Sequence, residues 1–275
     1  MAQKTISVLG CGWLGLPLAQ ALVEAGYRVK GSTTTPEKVE VLQQSGIEPF
    51  LLSFPENSPK TDLATFLEAD VLVFNLPPKR TETGAQTYEE TLAQVLVNLP
   101  TKTTNILFIS STSVYPDLHR EVTEQDAIAS SDSPSLLLRC EYQVQQAVGV
   151  HATIVRFGGL MGGKRHPGRF LAGRKDVPQP LAPVNMIHLQ DCVGVLQGIL
   201  QEEAWGETFN ACAPSHPSRQ EFYTAAAQQL GLVPPHFLAE KTTSFKIINS
   251  QALMERLSYS FVYPDLMACL ADSGF

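Results

Sequence analysis

No basic block in this sequence is large enough to neutralise a nucleic-acid backbone. Lysine and arginine number 20 against 27 aspartates and glutamates, a net charge of −7. That balance excludes nucleic acid as the main partner, because affinity for it rests on many phosphate contacts. Paired cysteines are also missing. Cys11, Cys140, Cys192, Cys212 and Cys269 are odd in number, scattered and without CxxC spacing. A disulfide or zinc framework is thereby excluded, and reduced thiols of the cytoplasm fit better. No pair of histidines has metal-ligand spacing, so no metal site is expected. Long apolar runs are absent as well. Residues 6–23 come nearest, but three glycines and a proline interrupt them, with no basic region or cleavage site alongside. No membrane segment or leader is expected, and the location expected is cytoplasmic.

What is present is a globular composition, 44% hydrophobic, in 275 residues. Such a length suits one α/β domain with an appended lobe, or two small domains. The most informative stretch is Thr5 to Gln20. An apolar run, Ile6 to Leu9, leads into Gly10-x-Gly12-x-x-Gly15, and a helix-like segment follows. Gly10 permits a tight strand-to-helix turn, Gly12 lets backbone approach a pyrophosphate, and Gly15 lets the helix pack close to the strand. Trp13 and Leu14 lie inside the turn, where the helix N-terminus offers N–H groups and a positive dipole end to phosphates.

Strand and helix patterns alternate from there on, as in a parallel sheet. Strands are expected at 27–31, 48–52, 69–75, 105–110 and 151–156. Helices are expected over 36–44, 61–68, 88–99 and within 133–148. Later come a loop-rich segment at 158–184, a helix at 189–201, a strand at 207–212, a helix at 218–230, a strand at 244–248 and a helix from about 250. The expected fold is a Rossmann-type, doubly wound parallel sheet. Residues 1–157, continued by about 185–212, form the dinucleotide-binding domain. Residues 158–184 and 213–275 form a smaller α+β substrate lobe.

Four further motifs resemble those of the extended short-chain dehydrogenase/reductase family, the nucleotide-sugar epimerases and dehydratases. They are Ser110-Ser-Thr-Ser-Val-Tyr115, Arg156-Phe-Gly-Gly-Leu-Met-Gly162, Asn185-Met-Ile-His-Leu-Gln-Asp191 and Thr208-Phe-Asn210. The resemblance spans nearly the whole chain. It implies that Ser111 holds the reacting hydroxyl or carbonyl, that Leu76 and Pro77 run along the cofactor, and that Tyr115 is a candidate at the site. A homodimer through the helices at 88–99 and 135–148 is also implied. The family's Tyr-x-x-x-Lys dyad is missing, since none of the seven tyrosines has lysine four residues on. Alignment on Ser133-Pro134 puts Ser135 at the tyrosine and Arg139 at the lysine. Arg139 stays protonated; it could hold ribose or phosphate, but it is a poor proton shuttle. These departures mark an atypical branch of the family.

Ser32, Thr33 and Thr34 stand where an acidic residue would select NAD. With no carboxylate to repel a 2′-phosphate and Lys38 four residues beyond Thr34, NADP is favoured over NAD. The segment 162–174 is the most concentrated basic stretch of the chain, and the resemblance places it over the substrate. Arg165, His166 and Arg169 there suit a small anionic ligand. His188 and Asp191 are expected to cap the helix at 189. Two readings stay open: an NAD(P)-dependent oxidoreductase or sugar-nucleotide-modifying enzyme, and a non-catalytic NAD(P)-binding redox or metabolite sensor.

Overall fold

A computed structural model describes residues 3–54, 60–78, 81–239 and 244–272. The first half alternates as expected: β1 (Thr5–Leu9), α1 (Gly15–Glu24), β2 (Arg28–Thr33), α2 (Glu37–Gln44), β3 (Glu48–Leu51), α3 (Lys60–Leu67), β4 (Val71–Phe74), α4 (Glu82–Val97) and β5 (Asn105–Ser111). Then follow β6 (Glu121–Val122), α5 (Leu136–Gln145), β7 (His151–Phe157), β8 (Gly159–Met161), β9 (Met186–His188), α6 (Leu189–Gln201) and β10 (Thr208–Ala211). The chain closes with α7 (Arg219–Gln229), β11 (Ile247–Ile248), α8 (Gln251–Leu257) and α9 (Leu266–Ala271).

Among the described residues, seven strands form the central sheet in the order β3-β2-β1-β4-β5-β7-β10. The pairings β3–β2, β2–β1, β1–β4 and β4–β5 are all parallel. Chain order reverses at β1, so this is a Rossmann-type sheet with its switch point beside the glycine turn. β1 and β4 are buried at every position. Continuous burial of that kind suits strands covered on both faces.

Packing divides the chain into two units. The first comprises Met1–Ser110, Ile128–Val155 and Ile199–Thr208. Its core joins Leu9, Phe66, Phe74, Phe108, Val144 and Ile154. Phe74 stacks on Phe108 at 5.5 Å and meets Tyr88 edge-on at 5.9 Å. Lys30 is buried on β2, an unusual place for an ammonium. It donates to the carbonyls of Thr65 and Glu68, closing the carboxyl end of α3, where a cation also suits the helix dipole.

The second unit comprises Ser111–Ala127, Arg156–Gly198 and Phe209–Phe275. It contains two short parallel pairs, β6–β11 and β8–β9, and a core around Met161, Phe222, Ala226 and Leu266. Asp191 corrects the sequence expectation here. Although it lies in the first turn of α6, its carboxylate does not cap that helix. It accepts instead from the Tyr259 hydroxyl at 2.9 Å and from the amides of Val262 at 2.7 Å and Tyr263 at 3.0 Å. A fully buried carboxylate thus pins the C-terminal segment. Asp191→Ala would leave two of those amides unpaired. It is expected to lower stability by about 3 kcal/mol, which urea unfolding would show as a lower midpoint at unchanged slope.

Candidate functional site

The glycine turn in the first unit is built by close approaches. A Cβ on Gly15 would lie 2.1 Å from the Gly10 carbonyl oxygen, so only glycine lets α1 start there. Gly10 adopts φ +101°, and a Cβ on it would meet the Asn75 carbonyl at 2.9 Å. Gly12 differs: nothing lies within 4 Å of its Cβ position. Two polar groups hold the turn. Asn75 Nδ2 donates to the Gly10 carbonyl at 2.9 Å, and Gly10 N–H donates to Ser32 Oγ at 2.8 Å. No side chain caps α1, so its first N–H groups and dipole end face the space over Gly12. The arrangement fits the pyrophosphate of a dinucleotide.

Cys11 lies inside this turn and is chemically quiet. It is buried, its Sγ lies 3.7 Å from the Val8 carbonyl, and burial pushes the thiol up to about 12. A Cβ on Gly31 would meet that sulfur at 2.8 Å, so the small residue fills a tight place.

At the end of β2, Ser32 and Thr33 are buried and committed to the fold, Thr33 Oγ1 accepting from Thr35 N–H at 3.1 Å. Thr34 and Lys38 are exposed. The Lys38 ammonium is near enough to Cys11 to bias that thiol toward its ionised form. Leu76 and Pro77 follow β4 after Asn75. Leu76 is half-buried and Pro77 exposed.

The dyad positions in the same unit carry other duties. Ser135 is the N-cap of α5, its Oγ accepting from Leu138 N–H. Arg139 holds Glu89 through Nε at 2.8 Å and Nη2 at 3.2 Å, and its Nη1 donates to the Ser133 carbonyl at 2.9 Å. Expected near ribose, this guanidinium instead bridges α5 to α4. One group went unnoticed in the sequence. Glu141, fully buried on α5, accepts from the Ser110 hydroxyl at 2.5 Å.

In the second unit, Ser111 caps the short turn Thr112–Val114 by accepting from Ser113 N–H at 3.1 Å. Tyr115, expected among catalytic groups, is only 2% exposed. Its hydroxyl donates to Asn210 Oδ1 at 2.6 Å and accepts from Arg156 Nη1 at 2.7 Å, and the guanidinium lies 5.2 Å from its ring centroid. Arg156 also donates to the carbonyls of Glu124 and Ala127. Three motifs that look functional in sequence therefore meet as one buried network, and Tyr115 is an anchor within it. Asn185 does similar work, donating to the Lys246 carbonyl and accepting from Ile248 N–H, both at 2.9 Å.

Arg165 and Arg169 are exposed on the basic segment. His166 is not: it is buried, with Nδ1 accepting from Gly168 N–H at 3.0 Å. A Cβ on Gly168 would lie 2.1 Å from the Ala226 carbonyl, so this turn seats against α7. His188 is buried too, its Nδ1 accepting from Gln190 N–H at 3.2 Å and its ring 4.2 Å from that of Tyr263. That bond is the one part of the expected helix cap the structure keeps. Among the described residues no cluster has the makings of a metal site, and no helix is long and apolar enough to cross a membrane.

Comparison with known proteins agrees with this geometry. Residues 5–131 match the model of the NAD binding domain of 6-phosphogluconate dehydrogenase. Protein YeeZ of Escherichia coli K12 is 37% identical over 269 residues, covering 95% of this chain and 97% of that protein. Among solved structures, UDP-glucuronic acid 4-epimerase from Bacillus cereus in complex with NAD superposes with a TM-score of 0.76 at 19% identity, covering 97% of this chain and 96% of the other. The human epimerase family protein SDR39U1 with NADPH gives 0.68 at 19% identity, covering 97% of each. At such identities the structural likeness speaks for the fold.

Burial holds the pKa values of His166, His188 and His216 below the ordinary 6.5. Above that value both the folded and unfolded rings are neutral. As pH falls through about 6.5 the unfolded chain takes up protons that the folded rings refuse, so stability drops. Urea midpoints measured between about pH 7.5 and 5 are expected to fall with acidification, with a shallower slope in His188→Gln.

Proposed function

The chain belongs to the YeeZ family, and from that premise we propose that it is an atypical member of the extended short-chain dehydrogenase/reductase family that binds NADP(H) across the glycine turn. On this reading it acts as an oxidoreductase or sugar-nucleotide-modifying enzyme on a small anionic substrate. The observation that carries the proposal is the uncapped start of α1 beneath the open space at Gly12. Gly10, Gly12, Trp13, Leu14 and Gly15 line the pyrophosphate path, with Leu76 and Pro77 beside it. The exposed Thr34 hydroxyl and Lys38 ammonium suit a 2′-phosphate. The nicotinamide supplies or accepts a hydride when bound.

Ser111 is the residue of this chain assigned to the reacting oxygen. Its Oγ already accepts from Ser113 N–H, and its own hydrogen is then directed at a substrate carbonyl or hydroxyl. Arg165 and Arg169 hold the anionic part of the substrate. Tyr115, Arg139 and His166 drop out of the site, because each is engaged in holding the fold. A homodimer through α4 and α5 belongs to the same reading.

One observation favours a second reading, a dinucleotide-binding sensor without turnover. Both dyad positions are occupied with helix capping and ion pairing, so neither supplies the proton the chemistry needs.

Calorimetric titration with NADP(H) and NAD(H) tests the first step. Gly12→Val is expected to abolish binding while changing stability by about 1 kcal/mol or less, since its side chain enters open space. Lys38→Glu is expected to weaken NADP(H) at least about tenfold and to spare NAD(H). Equal affinities in the wild type would remove the NADP preference. Ser111→Ala separates enzyme from sensor: turnover is expected to fall by about a hundredfold or more with cofactor affinity intact.

A further inference from the structure

A cavity of about 420 Å³ lies in the first unit at the amino ends of β1, β4, β5 and β7. The glycine turn is at the other end of β1, so the strand's five residues, about 16 Å, separate the two. Its volume is in the range of small-molecule sites. Tyr27 and Trp205 supply aromatic walls. Charge on the rim is unequal: Lys4 is matched by Glu203, which leaves the Asp70 carboxylate, tied among the described residues by its Oδ2 to Thr5 N–H at 2.7 Å. The Asn105 Oδ1, in a cavity-lining side chain, is buried without a hydrogen-bond partner among the described residues.

Backbone geometry at Glu203 is a second sign of a built place. Just past the end of α6 it adopts φ +49°, a left-handed conformation that glycine takes far more readily. Ala204 N–H bonds back to the Ile199 carbonyl and Trp205 N–H to the Glu203 carbonyl, so this one turn sets both the carboxylate and the indole at the cavity. A glutamate kept in a strained position invites a functional account.

We propose that this cavity is a second ligand site, taking a small aromatic amine as its cation. The ammonium pairs with Asp70, which Lys4 leaves unneutralised by bonding Glu203, and the ring packs against Trp205 and Tyr27, where cation–π attraction adds to the pairing. The site is independent of the dinucleotide reading.

Calorimetry with phenethylamine, and with phenylacetate as the same ring of opposite charge, tests it. The wild type is expected to bind the amine and not the acid. Glu203→Gly relieves the left-handed strain while removing the carboxylate. The folded state should survive, amine binding should weaken at least about tenfold, and the acid should gain. Lys4→Met should strengthen the amine. NADP(H) affinity in the same samples should stay constant, so failure of the dinucleotide reading would show separately. Absence of amine binding at millimolar concentration, equal binding of the acid, or unchanged amine binding in Glu203→Gly would each overturn the proposal.

Discussion

The approach of α1 to β1 at Gly15 governs the first unit. With the Gly10 oxygen 2.1 Å from where a Cβ would sit, no other residue lets the helix begin there without displacing the strand end. That contact aims the helix N-terminus, with its uncapped N–H groups and positive dipole end, at the space over Gly12. Asn75 and Ser32 then fasten the two free groups of Gly10. β4 and β2 are thereby tied to the same point from either side of β1 in the sheet. A single turn ties three neighbouring strands and the start of α1 together.

In the second unit the ordering principle is a polar network rather than a backbone contact. Arg156 is a charge at 2% exposure, which would be unfavourable alone. It is offset by two backbone carbonyls, a tyrosine hydroxyl and the tyrosine face. Asn210 closes the network by accepting from that hydroxyl while its own N–H donates to Glu124. Buried polar groups of this kind specify one arrangement of segments that are distant in sequence. Strong sequence signatures can therefore mark fixed packing as readily as chemistry.

Periodicity made the longer elements legible: β1, β4, β5, α6 and α7 fall within one or two residues of expectation, because buried strands and helices of several turns leave dense local signals. Short elements did not show. β6, β8 and β9 have two or three residues each, and they exist through long-range partners that no local window contains. The glycine turn was readable because Gly10 and Gly15 answer close backbone approaches, whereas nothing in the fold crowds Gly12. Tyr115, His166 and Arg139 all bond within the fold, partners that sequence does not show: residue type fixes what a side chain can do, whereas burial and partners decide what it does. Glu141 was invisible because nothing local distinguishes a buried helical glutamate from an exposed one.

The displaced dyad shows what such decisions do to chemistry. In the resembled family, a tyrosine lowered by a lysine one helical turn away transfers the proton. Here the first position bonds a helix N-terminus and the second an opposing carboxylate, and both bonds stabilise α5 where it packs beside α4. A serine cap cannot be restored to proton transfer without uncapping the helix. An arginine held at three nitrogens cannot turn toward ribose without releasing Glu89. The change is therefore larger than the loss of two side chains, since structural duties now occupy the places where catalytic ones would stand. On the enzyme reading proposed above, proton transfer is left to Ser111, to the substrate or to solvent. Each of these ties the rate to how well the bound anion is positioned, not to a tuned side-chain base.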